Sequence, residues 1–197
     1  WRQAGVPAHY IGHPLLDGLP HDEAGLRAVR DPAIAALPRP VALLPGSRPR
    51  EVADHMPLFL AAAQRLLARH PDASFHAAHV SPAERENLAA HARAAGVPLA
   101  VHGDRVHAVM SSCRAALVAS GTATLETALL GTPLVVVYHV SPALARIGRV
   151  LVIPPFIGQV NLVAGRAVAP ELILRHGDAD APAALAQAAL PLLSDTA

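Results

Sequence analysis

The sequence predicts an α/β fold in which helices cover both faces of a Rossmann-like parallel sheet. Short runs of apolar residues, typical of strands buried on both faces, alternate along the chain with longer segments rich in Ala, Leu and Arg. Apolar residues recur at helical spacing within the longer segments, and several of these segments carry helix start and stop signals. Strands that alternate with helices form βαβ units, and such units build a parallel sheet.

Residues 1–40 differ from the rest of the chain and are predicted to be the end of a preceding domain and an interdomain crossover. They contain a short predicted strand at 8–11, a Pro-rich connection, and a helix that starts at His21 and is acidic in its first turn. The α/β domain follows over residues 41–197. The chain opens at Trp1 without an initiator Met, so we expect it to begin inside a longer protein.

The predicted strands of the α/β domain share a short and almost uninterrupted apolar composition. They are expected at 41–44, 73–80, 99–102, 115–119 and 134–138. Pro45-Gly46 ends the first of them, and histidines weaken the second. Because such runs leave no polar face, we expect these strands to be covered on both sides.

The predicted helices have apolar residues at helical spacing and recognisable ends. They are expected at 51–70, 82–95, 105–113, 122–130, 142–152 and 182–193. Ser81-Pro82 and Ser141-Pro142 each combine an N-cap serine with a proline at the first helical position. Gly96 is expected to end the helix that Ser81 starts, and Pro57 is expected to kink or restart the first helix.

Composition and charge exclude several classes of function. The chain has 16 basic and 15 acidic residues, a net charge of +1 and only 3% aromatic residues, so it offers neither a basic footprint nor a stacking platform for nucleic acid. Every basic residue is Arg, which excludes a P-loop lysine and a Schiff-base lysine. The single cysteine, the lack of a long apolar run and the lack of a signal peptide predict a cytoplasmic location.

The first candidate binding loop is Gly46-Ser47-Arg48, directly after the strand at 41–44. Ligands of parallel α/β sheets bind in the loops at the carboxyl ends of the strands. Gly46 allows a close turn, Ser47 offers an oxygen, and Arg48 offers a guanidinium fork for a phosphate or carboxylate. The alternative is an ordinary strand-to-helix turn with a solvated arginine.

The second candidate loop is Ser120-Gly121-Thr122, where a buried strand runs into small hydroxylated residues and opens a helix. Free N–H groups at such a helix N-terminus form an anion site, to which Ser120 and Thr122 add hydroxyl donors. Glu126 follows Thr122 by four residues and lies on the same helical face, where its carboxylate can accept hydrogen bonds from sugar hydroxyls. The alternative is a capped helix in which Glu126 merely offsets the helix dipole.

A third candidate, Asn161, lies in an irregular segment at 158–166 that is too apolar for a simple surface loop. Its amide is suited to hydrogen-bond a ligand, and the alternative is a turn residue. No metal site is predicted, because the twelve histidines lack ligand spacing and Asp178-Ala179-Asp180 reads better as a loop and helix cap. Cys113 is interpreted as a small core residue rather than a nucleophile.

Four motifs occur in one order along the chain. They lie at 10–15, at 43–48 with Glu51, at 120–126, and at 161–166 with 170–172. In this order they resemble the lipid-A-disaccharide synthase family, nucleotide-sugar glycosyltransferases of the two-domain GT-B fold. The likeness covers nearly the whole chain, corresponds to the C-terminal half of such an enzyme, and is most specific in the Ser-Gly-Thr-Ala-Thr-Leu-Glu stretch.

The resemblance implies that residues 41–197 form the C-terminal, donor-binding domain for a UDP-sugar. The implied nucleotide-binding residues are Gly46, Ser47, Arg48, Ser120, Gly121, Thr122 and Glu126. Arg48 would lie near the diphosphate within the active site, Glu126 would bind the ribose, and Asn161 would be a further active-site residue. The family usually has Pro before this Asn, whereas this chain has Val160, which implies a looser loop. The main catalytic carboxylate is expected outside this chain.

The implied reaction transfers 2,3-diacylglucosamine from its UDP derivative to 2,3-diacylglucosamine 1-phosphate. Charge grows on the diphosphate as UDP leaves, and a helix N-terminus with Arg48 stabilises it, so no metal or other cofactor is expected. Two alternatives stay open: another UDP-sugar GT-B enzyme, such as an epimerase or hexosaminyltransferase, and a non-catalytic nucleotide-binding module. This chain alone is expected to bind UDP without transfer.

The expected partners are the UDP-sugar and the lipid-linked acceptor, with no nucleic acid. The segment 144–152 contains Arg146 and Arg149, which could contact anionic lipid on the inner face of the membrane. The alternative is a core helix with one solvent-exposed face. Family members can form dimers through their C-terminal region, which leaves a homodimer as an option for this chain.

Overall fold

A computed structural model describes residues 4–7, 9, 12–140 and 156–194. Within these residues, six parallel strands form one sheet in the order β3-β2-β1-β4-β5-β6. The strands are β1 (Arg39–Leu44), β2 (Ala73–Ala78), β3 (Leu99–His102), β4 (Ala115–Ala119), β5 (Leu134–Val140) and β6 (Glu171–Arg175). The chain order reverses between β1 and β4, which is the point of an open α/β sheet where ligands bind. The predicted fold class is confirmed.

The described helices precede the first strand, connect the strands or, in one case, follow the last strand. They are α1 (Leu15–Gly18), α2 (Glu23–Val29), α3 (Pro32–Ala35), α4 (Pro49–Arg69), α5 (Pro82–Ala95), α6 (Val106–Ser112), α7 (Thr122–Leu129), α8 (Gln159–Ala164) and α9 (Ala181–Leu193). The Ser81 hydroxyl accepts from the backbone N–H of Glu84, and Gly96 adopts the left-handed conformation, so both predicted ends of α5 are confirmed. No helix in the described part of the chain is both long and apolar enough to cross a membrane.

Two hydrophobic cores cover the two faces of the sheet. Val41 and Leu43 of β1 face the core that α4, α5 and α9 build, whereas Ala42 and Leu44 face the core built with α6, α7 and α8. Alternate residues of a strand point to opposite faces, so a strand without polar residues can be buried on both sides. Ile34, from the predicted crossover, is buried in the second core.

Several predicted elements differ from the structure. The helix α4 runs without a break through Pro57, which lies on the exposed face of the helix, where the carbonyl that loses its backbone donor is accessible to solvent. The strand β1 starts two residues early, at Arg39, and β2 ends at Ala78 rather than at residue 80. The predicted strand at 8–11 and helix at 142–152 lie wholly or largely outside the described residues.

Besides the four-residue helices α1 and α3, two elements next to the candidate site were not predicted as regular structure. Residues 159–164 form the helix α8, whereas the sequence predicted an irregular segment. The strand β6 was missed because it is an edge strand with charged residues at both ends and an exposed Ile173. Both elements bring residues into the candidate site described next.

Candidate binding site at the carboxyl edge of the sheet

The two candidate loops lie at the same edge of the sheet. The strands β1 and β4 are adjacent and parallel, with Leu44 paired to Val118. The loop 45–48 follows the carboxyl end of β1, and the loop 120–121 follows the carboxyl end of β4. Because parallel neighbours end at a common edge, Arg48 and the Ser120 corner lie on the same side of the sheet.

Glu51 organises the first loop. Its Oε2 accepts from the backbone N–H groups of Ser47 at 2.9 Å and Arg48 at 3.2 Å, and its Oε1 lies 2.5 Å from the Arg48 guanidinium. Burial raises the pKa of Glu51, but the hydrogen bonds from Arg48 and Ser47 outweigh it and hold the pKa below its ordinary value. The backbone N–H groups of Ser47 and Arg48 are therefore occupied, whereas the Arg48 side chain is 78% exposed and offers its remaining N–H groups to solvent.

A buried histidine, His79, also holds the same loop by a hydrogen bond. The Nδ1 of His79 accepts from the backbone N–H of Ser81 at 3.1 Å, so the proton is on Nε2, which donates to the Ser47 carbonyl at 3.0 Å. The sequence predicted residue 79 within the strand at 73–80, whereas in the structure it lies just beyond the end of β2. The sequence did not indicate this role, because a histidine at a strand end carries no distinctive pattern.

Gly46 makes the tight turn that the sequence predicted. Its φ of +119° belongs to the region that favours glycine, and a Cβ built there would lie 2.5 Å from Oε2 of Glu51. A side chain at this position would therefore displace the carboxylate that holds the loop.

We expect Gly46→Ala to destabilise the fold by about 1–3 kcal/mol through strained backbone and loss of the Glu51 hydrogen bonds. Urea unfolding would measure the loss. Gly96→Ala is the matched control, because Gly96 also has a positive φ but has open space around its Cβ position. Equal free-energy losses in the two variants would contradict the role of the Glu51 contact.

The second loop presents an uncapped helix N-terminus. The N-cap of α7 is Gly121, which provides no side-chain hydrogen bond, and Ser120, Gly121 and Thr122 are all exposed. The Thr124 hydroxyl instead donates to the Gly121 carbonyl at 2.7 Å. In contrast to α4, the positive end of α7 faces solvent without a carboxylate of its own, which is the arrangement that binds anions.

Glu126 lies one turn into α7 with its side chain only 20% exposed. Its Oε2 is 3.1 Å from Nε2 of His107 on α6, an exposed residue that the sequence did not single out. This contact fixes the orientation of one carboxylate oxygen and leaves other lone pairs available for hydroxyl donors.

Asn161 is buried, with 1% of its surface exposed, and its amide is fully engaged. Its Oδ1 accepts from the backbone N–H groups of Val168 and Ala169, and its Nδ2 donates to the Ala169 carbonyl at 2.8 Å and to Glu171 at 2.6 Å. Glu171 also accepts from the backbone N–H of Ile157 at 2.9 Å. Asn161 therefore fastens the turn after α8 to β6, and its contact with a ligand stays a prediction.

Tyr138 on β5 lies between the second loop and the Asn161 network. Ser120 and the Glu171 carboxylate both lie close enough to its hydroxyl to act on its pKa. Burial raises the pKa of Tyr138, and the negative charge of Glu171 adds to this effect. Tyr138 was not predicted as a site residue, because in the sequence it ends an apolar run that is typical of a strand.

Cys113 carries no reactive thiol. It is buried in the second core, and burial raises its pKa to about 12. Its interpretation as a core residue is consistent with both observations.

Comparisons with known proteins agree with this architecture. A family model described as lipid-A-disaccharide synthetase matches residues 1–197. The lipid-A-disaccharide synthase of Azotobacter vinelandii is 43% identical over 202 residues, which cover 98% of this chain and 51% of that protein. The lipid-A-disaccharide synthase of Thiobacillus denitrificans is 41% identical over 201 residues, which cover 100% of this chain and 52% of that protein. The chain thus spans about half the length of the curated relatives it matches.

A solved structure shares the fold at much lower identity. The GtfA/B complex superposes with a TM-score of 0.53 and 15% identity, over 81% of this chain and 30% of that one. Such a likeness speaks for the Rossmann-like architecture alone. The family match and the identity to curated relatives, by contrast, extend over all or nearly all of the chain. This chain belongs to the lipid-A-disaccharide synthetase family.

Proposed function

We propose that this chain is the donor-binding half of a lipid-A-disaccharide synthase. The enzyme would transfer 2,3-diacylglucosamine from its UDP derivative to the 6-hydroxyl of 2,3-diacylglucosamine 1-phosphate, forming a β-1,6 linkage and releasing UDP. The observation that carries the proposal is the uncapped N-terminus of α7 at the same sheet edge as the exposed Arg48. Family membership supports the reaction, and the edge supplies groups suited to a diphosphate.

The diphosphate would be held by helix dipole and guanidinium together. As the bond from the anomeric carbon to the diphosphate oxygen breaks, negative charge grows on UDP. Backbone N–H groups at the start of α7 and the Arg48 fork stabilise this charge more in the transition state than in the ground state. On this proposal, neutralisation of the leaving group needs no metal ion.

Arg48 must exchange one partner for another during binding. It lies 2.5 Å from Glu51 in the present structure, and a guanidinium has five N–H donors. Because the other hydrogen bonds of Glu51 come from backbone N–H groups, the loop keeps its shape while Arg48 turns toward a phosphate. Asn161 would act as a positioning residue, since its amide is already engaged by its own loop.

Glu126 would recognise the ribose. Its carboxylate accepts from the two ribose hydroxyls, while the Nε2 of His107 holds one oxygen in place. Position, charge and partial burial support this assignment. The alternative, simple stabilisation of α7, is weakened because a carboxylate this far from the helix start gains little from the dipole.

We expect Glu126→Gln to weaken UDP binding about tenfold but to weaken 2′-deoxy-UDP binding much less. The deoxy analogue lacks one of the two hydroxyls from which the carboxylate accepts a hydrogen bond. Isothermal calorimetry on the chain would measure both affinities. Glu86→Gln is the control, since Glu86 is exposed on α5 and pairs only with Arg93 among the contacts described. Identical losses for the two nucleotides would mean that Glu126 merely supports its helix.

The catalytic carboxylate and most of the acceptor site are expected in the remainder of the protein. We therefore expect this chain alone to bind UDP without transferring sugar. A cytoplasmic location, peripheral contact with the inner membrane and a homodimer belong to the same proposal. The segment 144–152, on which the membrane contact depends, lies outside the described residues.

The proposed reaction is tested with the full-length protein. Donor with a radiolabelled sugar is incubated with both lipid substrates, and the product is separated by thin-layer chromatography. A labelled disaccharide that forms only when 2,3-diacylglucosamine 1-phosphate is present supports the proposal. Free labelled sugar, an epimerised sugar nucleotide or no product would each assign the protein to another class, respectively a hydrolase, an epimerase or a non-catalytic binding module.

A further inference from the structure

The peptide group between Ser47 and Arg48 is held from two sides. Its carbonyl, which belongs to Ser47, accepts from Nε2 of His79 at 3.0 Å. Its N–H, which belongs to Arg48, donates to Oε2 of Glu51 at 3.2 Å. The C=O and N–H of a trans peptide point in opposite directions, so the two hydrogen bonds together oppose rotation of the peptide plane.

The next peptide group is held by the first turn of α4. The Arg48 carbonyl accepts from the backbone N–H of Val52 at 3.0 Å, and Arg48 is the N-cap residue, with a φ of −104° and a ψ of 145°. Both peptide groups that flank the Cα of Arg48 are therefore fixed. Because φ and ψ are the only soft backbone dihedrals, the direction in which the Arg48 side chain leaves the backbone is fixed as well.

We propose that His79 is a positioning residue for Arg48, which presets the backbone direction from which the guanidinium reaches a diphosphate. This inference rests on the proposed function, in which Arg48 binds the diphosphate of UDP. The His79 side chain contacts the Ser47 carbonyl, and the residue is only 8% exposed. It therefore acts through the backbone of the loop and needs no contact with the nucleotide.

The position of His79 is itself fixed by the neighbouring loops. Its backbone N–H donates to the His102 carbonyl of β3 at 3.2 Å, and its carbonyl accepts from the Arg85 guanidinium at 3.1 Å. Its Nδ1 accepts from the backbone N–H of Ser81 at 3.1 Å. With the bond to Ser47, all four polar atoms of His79 have partners, so the ring has one orientation and one neutral tautomer.

A preset Arg48 favours binding because its backbone is ordered when the chain folds. Fixing a residue costs conformational entropy, and a residue that is already fixed does not lose this entropy again when a ligand binds. Loss of the His79 hydrogen bond should therefore weaken UDP binding about fivefold. Uridine has no phosphate for Arg48 to bind, so its affinity should not change.

The test compares two replacements of His79 in this chain. The side-chain nitrogen of glutamine reaches about as far as Nε2 of histidine and can donate to Ser47, whereas asparagine is too short to do so but still accepts from Ser81. Calorimetry should show a UDP affinity within about twofold of wild type for His79→Gln and a loss of about fivefold for His79→Asn.

The matched control is His76→Asn. His76 is another buried histidine, 5% exposed, but its ring contacts are with side chains of β2 and β3 and not with the donor loop. We expect it to leave the UDP affinity unchanged. Circular dichroism checks that each variant folds.

A double-mutant cycle separates positioning of Arg48 from general support of the fold. If His79 acts through Arg48, His79→Asn weakens UDP binding in the wild-type background but has no further effect in an Arg48→Ala background. Equal losses in the two backgrounds, or an equal loss of uridine affinity, would overturn the proposal.

Backbone dynamics test the same inference without a ligand. The ¹⁵N order parameter of the Arg48 amide should be about 0.85 in wild type and in His79→Gln, and should fall toward about 0.6 in His79→Asn. An unchanged order parameter in His79→Asn would contradict the positioning role. If the order parameter falls as expected but the wild-type chain does not bind UDP, the proposed function is wrong, while the ordering of Arg48 by His79 is confirmed.

Discussion

Arg48→Ala is expected to slow sugar transfer by the full-length protein by about 10²–10³-fold, the usual cost of removing one donor to charge that develops in a transition state. Arg48 is exposed, so its removal creates no cavity. The Glu51 hydrogen bonds to the backbone of Ser47 and Arg48 persist in the variant, so the loop should keep its conformation. The loss should therefore appear in catalysis and in diphosphate binding, not in stability.

Transfer rates at saturating donor, together with a urea unfolding curve, measure this expectation. Arg50→Ala is the control, because Arg50 is an exposed arginine in the first turn of the same helix. Arg48→Lys should fall between wild type and alanine, since a lysine keeps the charge but loses the planar fork. A rate for Arg48→Ala no lower than that of Arg50→Ala would remove Arg48 from the active site.

Asn161→Leu is expected to destabilise the fold by roughly 2–4 kcal/mol. Leucine has the same branching as asparagine, but it leaves the backbone N–H groups of Val168 and Ala169 without their acceptor and removes one of the two donors to Glu171. The Ala169 group is buried, so water does not easily replace the lost partner. Glu171 keeps the Ile157 N–H as a donor, but the loss of one hydrogen bond to a half-buried carboxylate adds to the cost.

The unfolding free energy in urea measures this effect, with Gln159→Ala as the control from the exposed side of the same helix. A second readout separates positioning from direct substrate contact. If Asn161 only positions the loop, UDP affinity should fall only as far as the loop loses its conformation. Asn161→Ser should then lose more free energy of unfolding than free energy of UDP binding. An unchanged unfolding free energy in Asn161→Leu would contradict the structural network.

The fold was largely predictable because its central strands are buried on both faces. An apolar run such as 115–119 has few alternatives to a central strand, and the Ser-Pro and Gly signals marked the ends of α5. The edge strand β6 escaped prediction because one side of it is exposed, so charged and apolar residues mix. The helix α8 was not predicted because it has only six residues and is held by a hydrogen bond from Asn161 to Glu171 of β6.

The candidate site was predictable in its loops but not in its side-chain partners. The sequence predicted that Gly46–Arg48 and Ser120–Glu126 lie at one edge of the sheet, because the loops that follow parallel strands share that edge. It did not show that Glu51 accepts from the backbone N–H groups of Ser47 and Arg48, or that His107 orients Glu126. Nor did the spacing of histidines indicate that Asp54, His139 and His176 lie together, since they come from three separate elements of the fold. Such pairings depend on tertiary distances that a linear pattern does not contain.

The central claim is that α7 and Arg48 together bind a diphosphate attached to uridine. Calorimetric titration of this chain with UDP, UMP and uridine under one set of salt and pH conditions tests it most directly. We predict that UDP binds at least about tenfold more tightly than uridine, with UMP between them, and that Arg48→Ala removes most of the difference. Equal affinities for the three ligands, or no measurable binding of UDP, would contradict a diphosphate site at this edge of the sheet.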